Sequence, residues 1–278
     1  MASFFPRGSI AINSSSAQPR NSTVVFAVSS EGDEATMDAV VVVNGTRLQH
    51  PYNDEQEPSR SVFGRRYFAA GKIYRLIFGG GDSGSVKINS WDTGCNNIHA
   101  KVTATTSARL GGKVMALATN SETLGKRTSS RRPPTEPERA AVMALRKKIY
   151  QQRLTPASLI PSIKVTNLTS TDLDGDGANE IIGSFTLAAK NKFERDLFLI
   201  AKGTGDSMKA DFVKWQAYQP PAEGFLWSID FVDQLDLDGN GVGEVFATQG
   251  GFDGYSYVIF RKVAGRWREV FSFLGDAC

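Results

Sequence analysis

Two acidic nine-residue segments of the same pattern decide how the C-terminal half of the chain is interpreted. They are Asp172-Leu-Asp-Gly-Asp-Gly-Ala-Asn-Glu180 and, 64 residues later, Asp236-Leu-Asp-Gly-Asn-Gly-Val-Gly-Glu244. One β-rich segment precedes each acidic segment and three follow it. Each unit is therefore predicted to consist of a strand, an acidic loop and three more strands, the composition of a propeller blade.

Within each loop, acidic or amide side chains stand at positions 1, 3, 5 and 9, a spacing that points them at one centre. Gly177 and Gly241, at position 6, allow the positive φ that a tight loop needs. A carbonyl at position 7 adds a backbone oxygen. Oxygen ligands in this number suit Ca²⁺ better than zinc or copper. The predicted ligands are Asp172, Asp174, Asp176, Ala178 and Glu180 in the first loop, and Asp236, Asp238, Asn240, Val242 and Glu244 in the second.

The acidic loops have two other interpretations. An EF-hand needs a bidentate Glu at position 12 and a following helix. Position 12 is Gly183 in the first loop and Ala247 in the second, and both loops run into β-rich segments, which excludes an EF-hand. A pair of acidic Asx-type turns without a bound ion remains the alternative. Because Asn240 removes one charge, the second calcium site is predicted to be the weaker.

The pattern Asp-x-Asp-Gly-Asp/Asn-Gly-x-x-Glu, followed by an apolar strand, resembles the calcium loops of FG-GAP/VCBS-type repeats. These repeats form integrin α-subunit β-propellers and occur in many bacterial exported proteins. The resemblance covers about residues 160–275. It implies blade-like repeats with two calcium sites in an extracellular or periplasmic protein. The chain has two such units, whereas a closed propeller needs about four to eight blades. The two units are expected to pack together, to lean on a helix or to be completed by another copy.

Residues 23–119 are predicted to form a small antiparallel β domain of about six strands. Asn44-Gly45 is a strong hairpin signal, and Tyr67 to Phe78 has the composition of one long strand. Gly81-Asp82-Ser83-Gly84 is similar to the sequence around the nucleophile of chymotrypsin-like proteases. Too few residues precede this motif to carry the usual base and orienting acid, so we interpret it as a glycine-rich hairpin turn.

Residues 120–153 are predicted to be a basic linker followed by one helix. Thr135 and Glu138 form a capping-box pattern at the helix start. Val142, Leu145 and Ile149 recur at helical spacing and predict its buried face. The linker and helix hold nine of the 21 basic residues in the first 153. We interpret this stretch as a solvated linker and a capped helix, with a nucleic-acid-binding patch as the alternative.

The formal net charge of +3 hides an asymmetry along the chain. Residues 1–153 carry 21 Lys and Arg against 12 Asp and Glu, whereas residues 154–278 carry 11 against 17. The hydrophobic content of 41% excludes a wholly disordered chain, and two cysteines exclude a multi-disulfide scaffold. Residues 1–22 are predicted to be a flexible leader without a visible signal-peptide core. Pairing of Cys95 with Cys278 stays open.

These features together favour a mostly β protein: a β domain, a linker helix, and two repeats over residues 154–278. The favoured function is a non-enzymatic calcium-binding module with a structural role or a protein or carbohydrate partner. Trp215, Tyr218, Phe225 and Trp227 are candidates for such a contact surface or for strand core. The alternative is a calcium-dependent carbohydrate-active hydrolase or lyase, which would need a cleft lined by further carboxylates with shifted pKa values.

Overall fold

The computed structural model of the chain describes residues 22–32, 34–53, 56–94, 97–189, 193–218, 228–251 and 254–277. The predicted leader up to residue 21, both cysteines, Phe225 and Trp227 lie outside these residues. Strands account for 56% of the structure, which confirms that the chain is mostly β. No helix in the described part of the chain is long and apolar enough to cross a membrane.

A closed six-stranded antiparallel barrel comes first. Its strands are β1 (Thr23–Glu31), β2 (Glu34–Asn44), β4 (Ile73–Phe78), β5 (Gly81–Thr93), β6 (Ile98–Thr106) and β7 (Ala116–Thr119). They are hydrogen-bonded in the order β1-β7-β4-β5-β6-β2, and pairing of β1 with β2 closes the ring. A seventh strand, β3 (Arg47–Gln49), pairs with β2 through the predicted hairpin turn, where Gly45 has a φ of 59°.

Gly79 and Gly80 form the hairpin turn between β4 and β5, whereas Gly81-Asp82-Ser83-Gly84, predicted to be the turn, is the start of β5. Gly79 and Gly80 have φ values of 62° and 77° at the turn. Asp82 then accepts hydrogen bonds from Arg75 and from the backbone N–H of Gly84. These contacts give Asp82 a structural role in the hairpin.

A helix, α1 (Glu57–Tyr67), precedes β4 and was missed by the sequence analysis. The prediction of one β-like stretch from Tyr67 to Phe78 was wrong, since Tyr67 ends this helix and β4 begins only at Ile73. Pro58 in the first turn suits a helix start, because an N–H is not needed there. Phe63 and Tyr67 pack into the barrel core, so tertiary burial stabilises a helix with a weak local signal.

The strand β1 is buried on both of its faces. Val24, Phe26 and Val28 point into the barrel core, where the aromatic residues of α1 also pack. Val25 and Ala27 point outward and belong to a second apolar cluster outside the barrel. Since successive side chains of a strand alternate between faces, burial of both faces explains the uninterrupted apolar run of this strand.

The C-terminal half forms two four-stranded antiparallel sheets, in which consecutive strands are neighbours. The first sheet consists of β8 (Lys164–Thr171), β9 (Glu180–Ala189), β10 (Phe193–Lys202) and β11 (Lys209–Tyr218). The second sheet consists of β12 (Ser228–Leu235), β13 (Glu244–Gly251), β14 (Gly254–Val263) and β15 (Arg266–Ala277). The predicted order of a strand, an acidic loop and three strands is therefore confirmed in both units.

The structure is layered, with the second sheet between the barrel and the first sheet. One face of the second sheet packs on the outer wall of the barrel through Val232, Phe246 and Ile259. Its other face packs on the first sheet through residues such as Phe231 and Phe260. The free face of the first sheet is covered by α2 (Glu136–Gln152) and by a 3-10 helix over Ala157–Ser162.

The start and the buried face of α2 agree with the sequence. Thr135 caps the helix and its side chain accepts from the N–H of Glu138, whose carboxylate accepts from the N–H of Thr135. Val142 and Ile149 are buried against the first sheet, and Leu145 is partly buried there. Trp215 also packs in this layer, with its ring centroid 4.9 Å from that of Tyr150. Trp215 is therefore part of the core.

The basic linker joins the layers instead of running through solvent. The Arg131 side chain is 4% exposed, and it donates to the carbonyl oxygens of Met115 in the barrel segment and Val232 in the second sheet. Its guanidinium also lies 3.3 Å from Asp233, which is fully buried. Burial raises the pKa of Asp233 to about 6, against the opposing effect of Arg131 and of N–H donors that include Gly79. The interpretation of the linker as solvated was wrong at this position.

Replacing Arg131 by Met removes the positive charge and leaves the Asp233 carboxylate buried. An uncompensated buried charge is costly, so we expect the free energy of unfolding to fall by about 3–5 kcal/mol in urea denaturation. Lys126→Met removes an exposed charge from the same linker and serves as control; it should change stability by less than about 0.5 kcal/mol. A loss no larger than that of the control would contradict a joining role for Arg131.

The first sheet carries a buried carboxyl group, that of Asp196 in β10, on the face that packs against the second sheet. Asp196 is 5% exposed and accepts a 2.7 Å hydrogen bond from the Thr186 hydroxyl. Burial raises the pKa of Asp196 to about 7, and the charges of Glu194 and Asp230 act in the same direction. The native state therefore favours the protonated form of Asp196, whereas the unfolded chain releases this proton near the ordinary value of about 3.9.

This difference predicts a pH-dependent loss of stability. Because the native state holds the proton more tightly, the stability contributed by neutral Asp196 is present below about pH 4 and is lost as the pH rises to about 7. Asp196→Asn should therefore gain stability relative to the wild type between pH 5 and pH 8, on the order of 2–4 kcal/mol. Urea denaturation at both pH values measures the difference. Exposed Glu122→Gln is the control, and a gain that does not grow with pH would contradict the assignment.

Candidate metal centre

Two carboxylates of the first acidic loop accept hydrogen bonds from backbone N–H groups of the same loop and stabilise its conformation. Asp172 accepts hydrogen bonds from the N–H groups of Gly175 and Gly177, at 2.7 and 3.0 Å. Glu180 Oε2 accepts from the N–H of Leu173 at 2.9 Å. Both glycines have positive φ, 71° and 84°, so position 4 requires a glycine as well as the predicted position 6. The loop is thereby closed from position 1 to position 9.

The second loop repeats these contacts. Asp236 accepts from the N–H groups of Gly239 and Gly241, at 2.8 and 3.0 Å. Glu244 Oε2 accepts from the N–H of Leu237 at 2.7 Å. The leucine at position 2 is buried in both loops and anchors each loop on the apolar layers, a role that the sequence analysis missed. The two loops are thus equivalent in structure as well as in sequence.

The first loop brings together the predicted ligands at positions 1, 3 and 5. Asp172, Asp174 and Asp176 each offer a carboxylate oxygen within 4.8 Å of the other two. Asp174 Oδ1 is buried and has no hydrogen-bond partner among the residues described. Ala178, at position 7, donates its N–H to Asp176 at 2.8 Å. Three carboxylates at this spacing suit a hard cation, so the donor set of the first loop fits calcium.

A lysine from the end of β10 reaches the same carboxylates. Lys202 Nζ lies 2.8 Å from Asp174, 2.8 Å from Asp176 and 3.2 Å from Glu180. The hydrogen bond from Lys202 lowers the pKa of Asp176. In turn, the hydrogen bonds to Asp174 and Asp176 raise the pKa of Lys202. Burial raises the pKa of Glu180. The cluster is therefore partly neutralised by the protein itself.

An arginine takes the corresponding place at the second loop. Arg261 Nε lies 2.6 Å from Glu244 Oε1 and 3.6 Å from Asp238 Oδ2. Glu244 is only 1% exposed, and burial raises its pKa. Asn240, at position 5, accepts from the N–H of Val242. Among the described residues, three acidic ligand atoms lie within 4.8 Å of one another only in the first loop.

The two loops lie side by side at one edge of the stacked sheets. The N–H of Gly243 donates to the carbonyl of Leu173 at 2.7 Å. Arg127 of the linker donates to carbonyl oxygens of both loops, Leu173 and Gly241, and lies 3.7 Å from Asp236. Gln234 adds a 2.8 Å hydrogen bond to the carbonyl of Asp172. The loops therefore form one connected acidic edge.

Three basic residues of this edge were missed by the sequence analysis: Lys202, Arg261 and Arg127. The sequence contains an indication of Lys202 and Arg261, since a basic residue stands near the end of the third strand in both units. No repeat includes Arg127, whose place depends on the path of the linker.

Comparison with known proteins adds no further information on these loops. No protein-family model, curated protein or solved structure matches the chain. The acidic edge and its chemistry are thus the basis on which a function is assigned.

Proposed function

We propose that the protein is a non-enzymatic calcium-binding β-repeat module, exported or surface-associated, with a structural or partner-binding role. The observation that carries the proposal is the convergence of Asp172, Asp174 and Asp176 in a loop whose contacts recur in the second unit. Calcium held by the oxygens of residues 172, 174, 176, 178 and 180 would bind the native state and so stabilise it by mass action.

We further propose that the two sheets are propeller-type blades. Each is a four-stranded meander, and the two pack face to face. The barrel wall covers the remaining face of the second sheet and α2 covers that of the first. These coverings supply the apolar contacts that neighbouring blades would otherwise provide, which reconciles two blade-like units with a buried core.

The calcium affinity expected for the first loop is relevant to the proposed location of the protein outside the cytosol. Extracellular calcium modules bind with dissociation constants of about 10⁻⁴–10⁻³ M, whereas intracellular sensors bind about a hundredfold tighter. The Lys202 ammonium already pairs with three of the loop carboxylates, which weakens their attraction for a metal. A site weakened in this way would suit calcium at the high concentration found outside the cytosol, which is the location that we propose.

The hydrolase or lyase alternative finds little support between the sheets. Asp196, whose pKa is strongly raised, lines a cavity of about 10 Å³. That volume holds about one water molecule and no sugar ring. The geometry there favours a structural role for Asp196.

Thermal unfolding tests the calcium proposal. With about 10 mM Ca²⁺ and a dissociation constant of about 10⁻⁴–10⁻³ M, the stabilisation is about 1.4–2.7 kcal/mol, which corresponds to a rise of about 2–5 °C in the unfolding midpoint. Asp174→Asn keeps the side-chain volume, removes one ligand charge and should lose most of the rise, whereas exposed Asp206→Asn should keep it. A wild-type midpoint that is the same in calcium and in chelator would reject the proposal.

Substitution of Asn240 tests the predicted difference between the two sites. Asn240→Asp gives the second loop the charge that the first loop has at position 5. We expect isothermal titration calorimetry to show about tenfold tighter calcium binding at the second site and an unchanged first site. An equal affinity of both sites in the wild-type protein would contradict the predicted order.

A further inference from the structure

The two basic residues at the acidic loops occupy equivalent positions in the two units. In the first sheet, Ala201 pairs with Ile181, so the next residue, Lys202, lies across from Glu180. In the second sheet, Phe260 pairs with Val245, so Arg261 lies across from Glu244. The connection between the two strands differs in length, yet each unit places a cation across from the glutamate at position 9.

The Lys202 ammonium contacts one oxygen in each of three predicted calcium ligands. It lies 2.8 Å from Asp174 Oδ2, 2.8 Å from Asp176 Oδ2 and 3.2 Å from Glu180 Oε1. An ammonium group at these carboxylates repels a calcium ion bound beside it and occupies three of the oxygens that the ion could use. The lysine and calcium therefore compete for the first loop.

The two cations differ in how readily they leave. The Lys202 side chain is 32% exposed and ends a flexible four-carbon stem, so its ammonium can move into solvent. The Arg261 side chain is 16% exposed and pairs with Glu244, whose own side chain is 1% exposed. Withdrawal of Arg261 would leave this buried carboxylate without its guanidinium, which makes Arg261 the more tightly held of the two.

We propose that Lys202 is an internal cation that holds the first loop closed until calcium displaces it, and that Arg261, the more tightly held of the two, stabilises the second loop from the equivalent position. The proposal deepens the calcium-binding function proposed above and rests on it for the displacement step. It makes a residue outside each loop a determinant of calcium affinity, in addition to the ligands within the loop.

Calcium titration of Lys202→Met by calorimetry tests the displacement. Removing the competing ammonium should tighten binding at the first loop at least about tenfold relative to the wild type. Lys209→Met is the matched control, because Lys209 is exposed and pairs with Lys202 across the neighbouring strand. This control removes the same charge nearby and should leave the affinity within about twofold. Lys202→Arg keeps the charge and should retain weak binding.

Two further measurements test the role of Lys202 without calorimetry. In chelator, Lys202→Met should unfold at a lower temperature than Lys209→Met, because the loop has lost its internal cation. In the wild-type protein, calcium should increase the rate at which an amine-reactive ester labels Lys202, read by peptide mass spectrometry, while the labelling of Lys209 stays constant.

The outcomes separate the two proposals. Equal calcium affinity of the wild type and Lys202→Met, with unchanged labelling of Lys202, would overturn the displacement and leave the calcium function intact. If neither protein binds calcium at about 10 mM, the calcium function and the displacement both fail. Equal unfolding midpoints of Lys202→Met and Lys209→Met in chelator would overturn the role of Lys202 as an internal cation.

Discussion

The second sheet carries apolar side chains on both faces, and both have to be removed from water. On β13, Val245 and Ala247 face the first sheet, while Phe246 between them faces the barrel. At roughly 25 cal/mol per Å² of buried apolar surface, exposure of either face would cost many kilocalories per mole. The stacking of barrel, second sheet, first sheet and helix follows from this constraint, since each layer covers a face that its neighbour cannot leave open.

The same stacking determines where the charged groups lie. The apolar layers occupy the middle of the sheets, so the acidic loops and their basic partners collect at one edge, where the chain turns between strands. Arg127 contacts both loops at this edge, and Arg131 enters the interface between the barrel and the second sheet. The opposite charges of the two halves of the chain are therefore partly in direct contact, which the near-neutral total concealed.

The sequence predicted those features that repeat or that are encoded locally. The repeated loops located two four-stranded units, and Thr135 with Glu138 located the start of α2. The sequence did not predict α1, because this helix has few apolar residues and packs against residues that are distant in the chain. A Cβ atom at Gly64 would lie 2.7 Å from the ring of Trp91, so this helix requires a glycine to approach β5. The basic partners of the acidic loops were likewise hidden, because strand register and the path of the linker bring them there.

The two-sided burial of β1 also affects how the chain folds during synthesis. The barrel residues are made before those of the second sheet, so the outward-facing Val25 and Ala27 remain exposed until β12 to β14 follow. A ribosome-bound intermediate would thus present an apolar patch of the kind that chaperones recognise. For the same reason, proteolytic or engineered separation of the two halves in the linker would yield fragments with a tendency to aggregate.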